Sequence, residues 1–221
     1  MEQILNINQS LNAGNINNLD ELEQHFNKAA NMLLNNAILH IDGSKYRLTE
    51  IEFYFYKQAF HEDPYIHRHQ LQLLAGTWYF HGSGLDITFG DGVNYGGILI
   101  RGMQCLNSDE SKFINGPLNV VTEIFKCLGK ISVKDHVILL EETNTLPGQE
   151  VVRSTRVGLK RNHDAGFSNK YYRYITFVFD KDNNYAEKTK VAHAMLDKRM
   201  QNKEYSAEFI NENFRWAIIK N

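Results

Sequence analysis

The strongest constraint on this chain is a series of short stretches with strand texture, running from Ala37 to Phe179. They read AILHI, YRLTEIEFYFY, LDITF, GGILIRGM, HVILLEE, VVRSTRVGL and KYYRYITFVF, rich in β-branched and aromatic residues and set apart by Gly, Asn, Asp or helical interruptions. Successive parallel strands each need a crossover, usually a helix, and the pattern supplies too few of them for an alternating α/β fold. The sequence therefore predicts an α+β fold: a single domain with a mostly antiparallel sheet and helices near its start, middle and end.

Three regions carry the helical pattern. Asn18-x-x-Glu21 has the form of a capping box, and Leu19, Leu22, Phe26, Ala29 and Leu33 follow at helical spacing to about Leu34. Asn115-Gly116-Pro117 opens a second helix, since proline suits the first helical position, with Leu118, Val121, Phe125 and Leu128 predicted on one face and Gly129 ending it. Two charged helices are predicted beyond Asp180, from Ala186 to Met200 and from Ser206 to Trp216. With 221 residues and 43% hydrophobic content the chain can bury one sizeable core. The domain is expected to span 1–221, with a core over 18–180 and additional helices over 181–221.

Composition excludes several classes. Cys105 and Cys127 are too few for a disulfide framework and have no ligand-spaced partner. The polar, Asn-rich start lacks the pattern of a signal peptide and no apolar run is long enough to span a bilayer, so a cytoplasmic protein without membrane association is expected. A net charge of −2 gives no global attraction to a polyanion. A local basic face is still available: between Val151 and Tyr174 stand Arg153, Arg156, Lys160, Arg161, Lys170 and Arg173 against the single acid Asp164, interleaved with aromatics.

The residues able to carry chemistry cluster early. In Glu50-Ile51-Glu52-Phe53-Tyr54, strand alternation places Glu50, Glu52 and Tyr54 on one face. A carboxylate set among apolar aromatics can be tuned by burial and by a nearby cation into a general base, or it can simply face solvent or a structural arginine. Arg101 is the one charge in the apolar strand GGILIRGM and needs an acceptor, for which Glu52 or Glu50 is the natural partner. His61, His67, His69 and His81 lie within a short span, but their spacing completes no recognised zinc pattern. The glycines of FHGSGLDITFGDGVNYGG match neither a dinucleotide fingerprint nor a P-loop and are read as tight hairpin turns, with Gly96-Gly97 allowing close backbone packing.

Taken in order, EIEFY, DPYIH, the loop Phe80 to Gly84, GGILIRG, GPLNVVTEIF, VVRSTRVGL and YYRYITF resemble the alkyladenine (3-methyladenine) DNA glycosylase family over about residues 20–180. The resemblance implies a curved sheet and a metal- and cofactor-free hydrolase of the N-glycosidic bond of alkylated or deaminated purines, acting as a monomer on DNA. It implies that Glu52 activates water, that Arg101 and the main chain near Val157 help hold it, and that Tyr54 and His67 flank a flipped base. Where the family has a second stacking tyrosine, this chain has Ser83-Gly84 and then Ile87, leaving the aromatic sandwich one wall short. The family's wedge-bearing hairpin is shortened here, with Phe89 or Tyr95 expected as the wedge. A non-catalytic nucleobase- or nucleic-acid-binding protein and a hydrolase of small nucleosides are the alternatives.

Overall fold

Residues 44–57 carry Tyr46, Leu48, Ile51, Phe53 and Phe55, enough β-branched and aromatic surface to hold one long strand buried over most of its length. In the computed structural model, which describes residues 10–107, 112–129, 135–159, 164–198, 201 and 203–214, this strand is the spine of the molecule. The strands are β1 (Ala37–Ile41), β2 (Ser44–Lys57), β3 (His61–Glu62), β4 (Ala75–His81), β5 (Gly84–Phe89), β6 (Tyr95–Cys105), β7 (Lys112–Asn115), β8 (Ile138–Glu142), β9 (Val152–Ser154) and β10 (Arg173–Ile175). They form one curved sheet in the order β4-β5-β6-β2-β1-β8, every pairing antiparallel. One edge of β2 lies along β6, while its other edge is met in turn by β1, β10 and β3.

The sheet is flanked by the helices α1 (Leu19–Asn35), α2 (Pro117–Leu128), α3 (Lys188–Met195) and α4 (Ala207–Phe214). Asn18 caps α1 by accepting from the backbone N–H of Asp20 and Glu21. The buried stripe of α1 packs on the β2 face that carries Ile51, Phe53 and Phe55, with the Phe26 ring stacked on Phe53 at 4.5 Å. A second apolar cluster seats α3 and α4, through Val191, Met195, Ile210 and Phe214, against Val152 and Ile175. No helix among the described residues is long and apolar enough to cross a membrane.

The α+β architecture agrees with the sequence, and local differences have physical reasons. β4 was not among the predicted strands: its Gly76, Trp78 and His81 break the expected texture, and it is held by pairing with β5. VVRSTRVGL and KYYRYITFVF keep only three strand residues each, the second tied to β2 on either side by the bonds Phe53 N–H to the Tyr172 carbonyl and Thr176 N–H to the Thr49 carbonyl. On α2 the predicted apolar face is turned: Val120 and Ile124 are buried, whereas Leu118 and Phe125 are exposed, Phe125 lying beside the Phe80 ring at 6.0 Å. The first C-terminal helix is shorter than predicted, and the end of the second lies outside the described residues.

A bulge decides what the other face of β2 can do. Leu48 pairs with Met103, Glu50 with Gly102 and Ile51 with Ile100, so Thr49 and Arg101 are skipped in the register. Bulges re-aim side chains and sharpen the local twist, and this one turns Arg101 towards the acids of β2. A Cβ at Gly102 would stand 2.8 Å from Thr49 Oγ1 and 3.1 Å from Glu50 Cβ, so the two backbones approach this closely only with glycine there.

Candidate active site

Two carboxylates sit beneath the surface on the bulged face. Glu50 Oε1 accepts from Arg101 Nε at 2.7 Å and from Arg173 Nε at 2.8 Å, a buried cluster in which one acid holds two guanidiniums. Glu52, two residues on, is fully buried. Its Oε1 accepts the Val157 N–H at 2.7 Å and lies 3.4 Å from Arg101 Nε, while its Oε2 accepts the Tyr54 hydroxyl at 2.7 Å. Burial raises the Glu52 pKa, outweighing the opposite pull of Arg101, the Val157 N–H, Arg173 and Tyr54. Burial alone would lower the Arg101 pKa, but Glu52 and Glu50 reverse this and keep it charged.

Above Glu52 opens a cavity of about 260 Å³, and three partners of that acid, Tyr54, Arg101 and Val157, line it. His67 and His81 line it too, ring centroids 4.5 Å apart and nearly perpendicular. His67 is exposed, and partial desolvation lowers its pKa, which favours the neutral imidazole. His81 is pinned at both nitrogens. Nδ1 accepts the Ser83 N–H at 3.2 Å, so Nε2 carries the hydrogen and donates to Asp86 Oδ1 at 3.1 Å. Asp86 is itself held by the Gln72 amide at 3.0 Å, and Gly97 leaves room for the pair, since a Cβ there would stand 2.6 Å from Asp86 Oδ2. The ring of His81 thus offers the cavity an aromatic surface rather than a free polar atom.

The back of Tyr54 is also fixed. The Arg156 guanidinium lies 4.4 Å from its ring centroid and is held by Asp63 through 2.6 and 3.2 Å bonds, both side chains fully buried. Arg156 donates further to the Phe53 and Phe167 carbonyls. Burial works against its charge, and Asp63 more than compensates. Tyr54 therefore has one face against a fixed cation and its hydroxyl on Glu52, which immobilises it at the cavity wall.

Five of the expected site residues come together here: Glu52, Arg101, Val157, Tyr54 and His67. The expected basic face does not. Arg153, Arg156 and Arg173 are buried, the latter two engaged by Asp63 and Glu50, so the three do not make an exposed basic face. Lys170 is half-exposed, and Lys160 and Arg161 lie outside the described residues. Phe89 is no wedge, being a core residue 1% exposed and stacked on Phe55, because α1 and β2 need an aromatic at that position to fill the core. Tyr95 is half-buried against Tyr56 and does not line the cavity.

His81 adds an aromatic ring to the cavity lining, where the sequence offered only Ser83-Gly84 and Ile87. Its position follows from β4, the strand that the texture did not reveal. Asp86, an acid between Leu85 and Ile87, was the one available signal for its anchor. The other histidines have structural tasks. His61 is buried between the Phe55 carbonyl and the Tyr172 hydroxyl, and His69 caps the short 3-10 helix Gln70–Leu73. Among the described residues no three His, Cys, Asp or Glu side chains converge as a metal-ligand set.

No family model matches the chain. It is 33% identical over 192 residues to uncharacterized protein L759 of Acanthamoeba polyphaga mimivirus, with 70% of this chain and 87% of the viral protein covered. The chain belongs to the family of that viral protein. The name L759 states no activity, so function is argued from the chemistry of the cavity.

Proposed function

We propose that this chain is a monofunctional DNA glycosylase that hydrolyses the N-glycosidic bond of alkylated or deaminated purines. The observation that carries the reading is a fully buried carboxylate of raised pKa, Glu52, beneath an aromatic-walled cavity and beside a fixed arginine. At about 260 Å³ the cavity lies below the roughly 300–1,000 Å³ typical of drug-sized ligands, which suits one extruded base rather than a larger molecule. The base lies between Tyr54 and the His67 and His81 rings. Water attacks the anomeric carbon, its proton passes to Glu52, and the electron pair of the breaking C–N bond leaves with the purine. Arg101 and the Val157 backbone keep the carboxylate aimed, and a cationic or electron-poor purine leaves readily.

The test is base release from duplex oligonucleotides carrying one hypoxanthine, ethenoadenine or 3-methyladenine, under metal chelation. Wild type releases base, and Glu52→Gln lowers the rate by about 10²–10⁴-fold, the usual range for a lost general base. Equal release by a folded Glu52→Gln variant, or none by folded wild type on any of these bases, overturns the proposal.

One observation favours a second reading. With Arg153, Arg156 and Arg173 buried, half of the six cations expected to meet a duplex are withdrawn from it. The same carboxylate and water then act on a free purine nucleoside or on single-stranded DNA, where no stacked partner has to be opened. A Glu52-dependent release from nucleosides that is indifferent to salt supports this reading, whereas a steep loss of duplex activity with salt supports the first.

A further inference from the structure

A second cavity, of about 240 Å³, opens between α1 and the segment that leads into β9, on the sheet face opposite to Glu52. Arg153 and Tyr174 are register partners in β9 and β10, and Tyr174 is in turn paired with Ile51, whose side chain faces α1. The backbone of Arg153 is clamped on both sides by buried Gln201, which accepts its N–H at 3.0 Å and donates to its carbonyl at 2.8 Å. The guanidinium is then delivered to the cavity on a rigid strand.

The lining presents donors. Arg153 is only 9% exposed, and among the described residues no carboxylate stands at ion-pair distance from it. Its one side-chain hydrogen bond among the described residues, from Nη1 to Asn27 Oδ1, is 3.3 Å long. Asn27 Oδ1 also accepts the Tyr174 hydroxyl at 2.9 Å, which turns the Asn27 amide nitrogen away from that pair. One turn later on α1, Asn31 Oδ1 accepts from Asn35 Nδ2 at 2.8 Å, and Asn31 Nδ2 is likewise left to donate outwards. Glu150 also lines the cavity, but one of its oxygens accepts from Tyr205 and the other lies 3.6 Å from Lys203 Nζ.

A buried guanidinium is unfavourable unless its five donors find acceptors, and here a cavity lined by two oriented amides stands where a carboxylate would otherwise sit. We infer that this cavity is an oxyanion site that binds a phosphate group through Arg153, Asn27 and Asn31. It is separate from the Glu52 cavity and does not depend on the glycosylase reading. The phosphate belongs either to a small free phosphate or to a nucleic-acid backbone.

The experiment is thermal unfolding of the full chain against inorganic phosphate, with chloride at matched ionic strength as control and a short single-stranded oligonucleotide as a second titrant. Wild type gains a saturable rise in Tm with phosphate over chloride. Asn31→Asp, at an exposed helical position, supplies an internal carboxylate to Arg153; it raises Tm without phosphate and abolishes the phosphate response. Arg153→Gln also abolishes the response. Displacement of phosphate by the oligonucleotide assigns the site to a nucleic-acid backbone, and no displacement assigns it to a small phosphate. Absence of a phosphate-specific shift in wild type, or the same shift in both variants, overturns the inference.

Discussion

The two faces of β2 are equally dry and chemically opposite. Towards α1, Ile51, Phe53 and Phe55 pack with Phe26 and Phe89 into an aromatic core, and Phe53 is 1% exposed. On the other face Glu50 and Glu52, with Arg101 and Arg173, are buried nearly as completely. Burial on the first face stabilises in proportion to the apolar area removed from water, about 25 cal/mol per Å². On the second, desolvation opposes the ion pairing and the net gain is small or negative. Burial alone therefore does not report on stability: the apolar face holds the fold, and the ionised face holds charge in a geometry that solvent would otherwise screen.

Truncation on either face is the harshest break of this comparison. Phe53→Ala removes a stacked core ring and lowers stability by about 3–5 kcal/mol. Glu50→Ala leaves Arg101 and Arg173 buried without their shared acceptor and also lowers it by about 3–5 kcal/mol. The distinction lies in activity per folded molecule, measured after denaturant titration. Phe53→Ala retains it, whereas Glu50→Ala loses it because Arg101 is no longer aimed. Equal activity in the two variants contradicts the division of labour.

Glu52→Gln sharpens the same point with the opposite outcome for stability. Its folded pKa is raised, so the folded state holds its proton more tightly than the unfolded state does. The resulting contribution is fully present below the unfolded pKa and is lost as pH rises through the folded value. Above the folded value the ionised acid adds nothing from this source, and there Glu52→Gln is no less stable than wild type in urea titrations. Activity needs the ionised form, so kcat/KM of wild type rises with pH through an acid limb displaced above the ordinary carboxylate range. A limb at the ordinary Glu value argues against Glu52 as the base.

How legible the two faces were in the sequence follows from the same physics. The apolar face was open to reading, because alternation in Ile51, Phe53 and Phe55 and helical spacing in Leu22, Phe26 and Leu33 are local signals. The Glu50, Glu52 and Tyr54 face, and Arg101 as its partner, followed from alternation and from the need of a buried charge for an acceptor. The bulge that gives Glu50 the shortest bond to Arg101 was not visible, since register is a property of strand pairs. The arginines of the 151–174 segment were misjudged for a related reason: a run of cations looks solvated in one dimension, and only long-range partners such as Asp63, 93 residues from Arg156, show otherwise. His81 was hidden because the strand carrying it is held by its neighbour rather than by its own texture.

A smaller effect tests how the ionised face supports its aromatic wall. Asp86→Asn removes the charge that holds His81 Nε2–H and disturbs the Gln72 bond, at about 1–3 kcal/mol of local interaction. The expected outcome is an increase in KM of about ten-fold for base release with little change in kcat, since the wall positions the base and takes no part in the proton transfer from water. A drop in kcat with KM unchanged transfers His81 to the chemical step.

The smallest expected effect comes from a charge pair outside both faces. Lys190 Nζ lies 2.6 Å from Glu187 Oε1 at the start of α3, shorter than the Arg101–Glu50 bond, yet the lysine side chain is 49% exposed. Water screens this pair and two flexible side chains must be ordered to form it, so Lys190→Ala shifts stability by about 0.5 kcal/mol or less, and the shift fades as salt is added. Glu50→Ala keeps its full effect at high salt, because ions do not reach that pair. If the two variants respond to salt alike, the Glu50 cluster is solvated, and the distinction between a surface pair and a buried electrostatic platform beneath the cavity no longer holds.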